Sequence, residues 1–213
     1  MSQNIWSDIK QQVIHSQHTI IHLIALNVLG FLVVNIPIGL IGAFSPDQFE
    51  GAYRWLGDWF FLSGDLWTVL TRPWTLVSFF FLHSFDVLHI LFNMLYLWFF
   101  GRIFHNLMGN QRSLQLYVLA GLTGGLAFLA AVQIFPSLST DHQLVGASGS
   151  VTGFIVAATT LNPSYKLRLL FIGEVSLWMI AGAIIALDLM FLASNTGGRI
   201  AHLIGGLTGY LFV

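Results

Sequence analysis

The sequence predicts an all-α membrane protein of six transmembrane helices, with an interfacial loop between helices one and two. Three observations carry this. First, 56% of the 213 residues are hydrophobic and only 8% are charged, against about 25% charged in an ordinary soluble domain. Mean hydropathy is +0.78, and a soluble domain of that character would expose aggregating apolar surface. Second, the apolar residues fall into six runs near the roughly 20-residue length that crosses a bilayer. Third, the aromatic share is 15%, which suits a chain with two membrane interfaces where Trp and Tyr collect.

The spans follow in order: 19–44, interrupted by Pro37; 76–104; 114–135; 147–161; 175–193; and 200–213. The fourth opens on a glycine-rich polar sequence, so its outer end is expected inside the protein, below the membrane surface. The sixth has about 14 residues, and a helix cut short at Val213 is expected. Residues 1–18 read as a polar cytoplasmic segment with neither a secretory nor a transit signal, and residues 19–213 as one membrane domain. The long connection from Ser45 to Trp74 carries Trp55, Trp59, Phe60, Phe61 and Trp67, and is expected to lie in the outer interface.

Basic residues in short loops set orientation. With the N-terminus inside, the inner segments hold Lys10, Arg102, Arg112, Lys166 and Arg168, and the outer ones Arg54, Arg72 and Arg199. The bias favours an inside N-terminus. A net charge of −1 argues against a nucleic-acid partner, and the lack of cysteine excludes thiol chemistry and disulfides.

Polar side chains inside spans are costly and mark candidate sites. The informative ones are His89 and Asn93 in span two, Ser148 in span four, Asp188 in span five and His202 in span six; His89, Ser148 and His202 fall in the outer part of spans that run from outside to inside. His89 and Asn93 are four apart and share a helix face. Gly149 and Gly153 on span four, with Gly146 just before it, face a second small-residue stripe on span six: Ala201, Gly205 and Gly209. Such stripes let backbones approach closely. Close approach is what a short serine needs to reach a histidine base. Neutral His202 could take the Ser148 proton. The Ser148 backbone N–H, His89 and Asn93 could stabilise the resulting oxyanion. This is a serine-protease division of labour without its acidic third member.

Here the residues resemble a family. H-I-L-F-N (His89 to Asn93), G-A-S-G (Gly146 to Gly149) and A-H-L-I-G-G-L-T-G (Ala201 to Gly209) are similar to the motifs of rhomboid intramembrane proteases, in that family's order. The resemblance covers roughly residues 19–213 and implies a six-helix rhomboid core. It implies a serine endopeptidase that cuts transmembrane protein substrates in the lipid bilayer with Ser148 and His202 as catalytic dyad, and without metal or cofactor. It implies a partly embedded loop between spans one and two, and sideways substrate entry past span five. The minimal six-span form points to a cell inner membrane, with the active site opening to the outer face. The sequence departs from the family pattern at Thr75, His105 and Thr152.

Other polar residues carry competing readings. Asp188 in span five could pair with Arg199 and anchor the outer loop, or orient His202 through water. His15, His18 and His22 recur at helical spacing; an interfacial helix face suits them better than a metal site. His83 and His142 are placed at the outer surface, and Gly121, Gly124 and Gly125 at packing contacts. Two further functions compete with proteolysis. A protein that binds membrane helices without cutting them would more often lack the serine or the base. A transporter or channel would favour paired broken helices or a continuous polar path.

Overall fold

The computed structural model describes residues 18–135, 143–169 and 173–213. Lys10, His15 and His142, and the N-terminal segment apart from His18, lie outside the described residues. The described chain is mostly helical. Helix α1 is Thr19–Phe44, and α2 is Pro46–Phe60. Short helices α3 (Leu66–Thr71) and α4 (Thr75–Ser78) follow. Then come α5 (Val87–Ile134), α6 (Ser148–Leu161), α7 (Leu177–Met190) and α8 (Thr196–Phe212). By length and composition, α1 and α5 can each cross a membrane, while α6 and α7 are shorter apolar helices.

Helix α5 is two limbs. Gly109 breaks it with φ +81° and ψ −179°, a conformation that glycine adopts without a Cβ clash. Gly101 of the first limb sits against Ile20, and Asn35 donates to His83 O at 3.3 Å, so this limb runs antiparallel to α1. Asn110 accepts from the Thr19 N–H at 2.9 Å and Tyr117 bonds Asn27 at 2.8 Å, so the second limb runs parallel to α1. A straight helix would separate residues 101 and 117 by about 24 Å, whereas Ile20 and Asn27, which they touch, are about 10 Å apart. The chain therefore folds back at Gly109, so that α5 contributes two helical segments.

The structure corrects several sequence boundaries. Span two does not begin at Leu76. The chain leaves helical structure after α4 and re-enters it at Val87, where Asp86 caps the helix by accepting from Leu88 N at 2.9 Å and His89 N at 3.3 Å. The intervening backbone is satisfied from outside: Tyr117 Oη donates to Phe80 O at 2.7 Å and Gly146 N to Phe79 O at 2.9 Å. Apolar content alone could not distinguish this buried, irregular stretch from a span.

Span five starts later than expected because Gly173–Ser176 pairs with Lys166–Leu169 as an antiparallel hairpin, β4 with β3. Span six starts earlier, since Asn195 caps α8 by accepting from Gly198 N at 3.0 Å. The all-α expectation thus needs two small ladders added. The second pairs β1 (Leu62–Ser63) with β2 (Gln143–Leu144), register Leu62 to Leu144.

The long connection after α1 is a folded element. In α2, Leu56 and Gly57 are buried while Trp55 and Trp59 are exposed. Trp74 stacks on Trp59 at 6.0 Å between centroids and donates from its indole to Trp59 O at 2.8 Å. Arg72 lies 4.4 Å over the Trp59 ring.

The molecule is apolar on its outside. Leu29, Val33 and Ile36 of α1 are exposed, as are Leu88 and Leu91 of α5 and Leu187 and Leu189 of α7. Asn27, Asn93, Ser150 and Asp188 are buried. Tyr117, fully buried, holds three elements together through Asn27 and Phe80. Tyr117→Phe leaves the Phe80 carbonyl and the Asn27 amide without this partner, and is expected to cost about 1–3 kcal/mol. Unfolding of the detergent-solubilised protein reads this directly; an unchanged midpoint would contradict the role.

Candidate active site

The segment leading to Ser148 is held on both sides. Its β2 strand pairs with β1, and Gly146 takes φ +127° while its N–H bonds Phe79 O. The positive φ at Gly146 suits a residue without a side chain. A Cβ there would lie 2.9 Å from His89 Cε1, 3.0 Å from His89 Nε2 and 3.8 Å from Ser148 Oγ. The bare backbone at Gly146 is therefore what lets the His89 ring and the Ser148 hydroxyl flank one small space. Ser148 is the first residue of α6, so its backbone N–H is one of the free donors at a helix N-terminus, and the helix end adds favourable partial positive charge.

Helix α6 is the most enclosed, with Gly149 to Ile155 buried. It touches α8 backbone to backbone. A Cβ on Gly205 would run into the Gly149 carbonyl oxygen and lie 2.8 Å from the Gly149 carbonyl carbon. One on Gly209 would meet the Gly153 carbonyl in the same way. A Cβ on Gly149 would lie 3.3 Å from Ala201 O. This crossing sets Ser148 and His202 at the edge of the same helix contact.

Beyond the crossing lies a cavity of about 640 Å³, lined by Ser148, His202, His89, Asn93, Asp188 and Arg199 among others. Five polar residues singled out in the sequence thus share one cavity: His89, Asn93, Ser148, Asp188 and His202. The small residues Gly149, Gly153, Ala201, Gly205 and Gly209 lie at the helix contact, outside it. Thr152 lines the cavity too and donates to Ser148 O at 2.8 Å. His105 is elsewhere, bonded to His18 at 2.8 Å between ring nitrogens.

A scan of protein families decides what this chain is related to. The model described as Rhomboid domain matches residues 70–213. The chain belongs to the rhomboid family. Among curated proteins this rhomboid chain is 33% identical over 135 residues to "Rhomboid protease GluP" of Bacillus subtilis (strain 168), a match covering 62% of the chain and 24% of that protein. It is 30% identical over 148 residues to "Presenilin-associated rhomboid-like protein A, mitochondrial" of Danio rerio, covering 66% of the chain and 36% of the relative. The matches span about a quarter to a third of these relatives.

In this rhomboid chain two neighbours of His89 were not legible beforehand. Ser84 Oγ lies 3.1 Å from His89 Nδ1, and the His83 ring packs edge-on against His89 with centroids 5.2 Å apart. A hydroxyl donating to Nδ1 leaves the proton on Nε2, the nitrogen beside Gly146. The signal for Ser84 was the Ser-Phe-Asp before Val87, a helix-start pattern that the overlong second span absorbed. Asn93 donates to His89 O at 2.9 Å with one amide hydrogen, and its amide has a second to offer. Asp188 contacts both Arg199 (2.9 Å) and His202 (3.1 Å) directly. The pairing with Arg199 is thus present, and the contact with His202 is direct where the sequence reading expected a water bridge.

Proposed function

We propose that this chain is an intramembrane serine endopeptidase, in which Ser148 is the nucleophile and His202 its base. The observation that supports it most is the shared cavity, lined by a helix-terminal serine, two histidines and an asparagine from three helices. The name of the Bacillus relative, a rhomboid protease, supports the same reading.

In the reaction, the Ser148 Oγ–H proton passes to His202 Nε2 as Oγ bonds the substrate carbonyl carbon. The carbonyl oxygen becomes an oxyanion, and donors placed for that charge lower the barrier: the Ser148 backbone N–H, His89 Nε2–H and Asn93 Nδ2–H. His202 returns the proton to the leaving amide nitrogen as the C–N bond breaks, and water then resolves the acyl-enzyme by the same route. Ser148 Oγ makes no hydrogen bond to a described residue. Serine–base contacts in an empty enzyme are often long and tighten with substrate.

Helix α1, the two limbs of α5, and α6, α7 and α8 would cross the bilayer as six spans, with the N-terminus inside and the cavity open to the outer face. The inner membrane is the setting proposed, residues 19–213 form the membrane domain, and α2 with its tryptophans lies in the outer interface. Transmembrane proteins are the proposed substrates.

Labelling by a fluorophosphonate probe tests the reading. The wild-type chain in detergent should label at one serine. A folded sample that stays unlabelled beside an active rhomboid control would overturn it. His89→Ala and Asn93→Ala should each slow labelling on the order of 10- to 1,000-fold, the scale of a lost oxyanion donor, with little change in the unfolding midpoint. Wild-type rates in both variants would remove these residues from the oxyanion hole.

A further inference from the structure

Helix α7 buries only Leu177, Ala181 and Asp188 of its 14 residues. One of the three is an acid, 4% exposed, and a buried carboxylate is costly unless paired and hydrogen-bonded. Asp188 is paired twice, to two residues of α8. Its Oδ1 accepts from Arg199 Nη1 at 2.9 Å. Its Oδ1 and Oδ2 stand 3.1 and 3.2 Å from His202 Nδ1. Arg199 is fixed in turn, donating to Leu187 O at 3.4 Å and lying 5.5 Å over the Phe191 ring. Arg199 and His202 are three apart and share a face of α8, so one carboxylate bridges both.

We propose that Asp188 is a positioning residue for His202, giving the site a Ser–His–Asp arrangement drawn from α6, α8 and α7, with Arg199 as the clamp that holds the carboxylate. This rests on the assignment of Ser148 and His202 above. A carboxylate accepting from Nδ1–H keeps the proton off Nε2, which is then free to take the Ser148 proton, and it stabilises the imidazolium formed as that proton arrives. Asp188 exchanges no proton of its own. The guanidinium of Arg199 offsets the charge of the buried carboxylate, and so lets an acid stand there.

The test uses the full chain in detergent, with the fluorophosphonate reaction separated into probe affinity and maximal labelling rate. Asp188→Asn keeps the shape but can present its amide N–H to Nδ1, favouring the wrong tautomer. Its maximal rate should fall by up to about 10,000-fold, the loss such a change causes in a serine-protease triad, with probe affinity unchanged. Asp188→Glu should recover much of the rate, and Arg199→Gln should lose about tenfold. Asp188→Asn could destabilise the fold by leaving Arg199 unpaired, so the double variant Asp188→Asn/Arg199→Gln removes both charges and should be as slow as Asp188→Asn. A folded double variant labelling at the wild-type rate would mean that Asp188 is only an anchor, and would overturn the proposal. Ser148→Ala run alongside separates the two levels: if it labels like wild type, the underlying assignment has failed instead.

Discussion

Ser148→Ala is expected to abolish fluorophosphonate labelling, and with it the proposed cleavage of transmembrane substrates, while the protein keeps its unfolding midpoint. The expected loss is on the order of 10⁶-fold, as when a nucleophile is removed from a serine protease. The fold should tolerate the change because Ser148 Oγ supports nothing: it has no hydrogen bond among the described residues, whereas neighbouring Ser150 donates to Tyr117 O at 2.7 Å. Ser150→Ala is therefore the informative contrast, expected to lower stability and leave the chemistry. His202→Ala should approach the loss of Ser148→Ala, since residues that act as one unit are not additive. Full labelling of Ser148→Ala would refute the nucleophile assignment.

Gly205→Val should damage both stability and activity, through geometry alone. The backbones of α6 and α8 touch at Gly149 and Gly205, and a side chain there has nowhere to go: its first carbon would already strike the Gly149 carbonyl. The helices must part. Overpacking of this kind costs about 1–3 kcal/mol. Separation acts next to Ser148 and less than one turn from His202, and a displacement of about 1 Å can cost roughly 100-fold in rate. Gly51 is a control, since a Cβ there meets nothing within 4 Å; Gly51→Ala should leave the labelling rate unchanged and, inside a helix, raise stability by about 0.5–1 kcal/mol. The measurement is labelling rate against unfolding midpoint for both variants. A Gly205→Val protein with a wild-type rate would mean that the close crossing does not place the site.

Much of this could be read without coordinates. His89 and Asn93 share a face because they are four apart on a helix. The small residues at 149, 153, 201, 205 and 209 announced a close helix contact because only such residues permit one. Composition alone pointed to lipid as the solvent, and the family motifs lay in order along the chain. These are local or periodic properties, which sequence carries directly.

Three features needed the tertiary structure. The run 76–82 looked like the start of a span, because hydropathy cannot tell a lipid-facing helix from a buried irregular segment whose carbonyls are met by Tyr117 and Gly146. Ser84 reaches the His89 ring only because Asp86 starts the helix there and leaves the preceding residues free to fold over it. Asp188 stood 14 residues from His202 with no periodic link to it, on a different helix. What joins them is the angle at which α7 meets α8, set by packing and by the Arg199 clamp. Sequence by itself thus determined the family to which the chain belongs, the candidate site residues and the helices that carry them. Only the packing of those helices decided which side chains meet, because contact between elements depends on their crossing geometry and not on spacing along the chain.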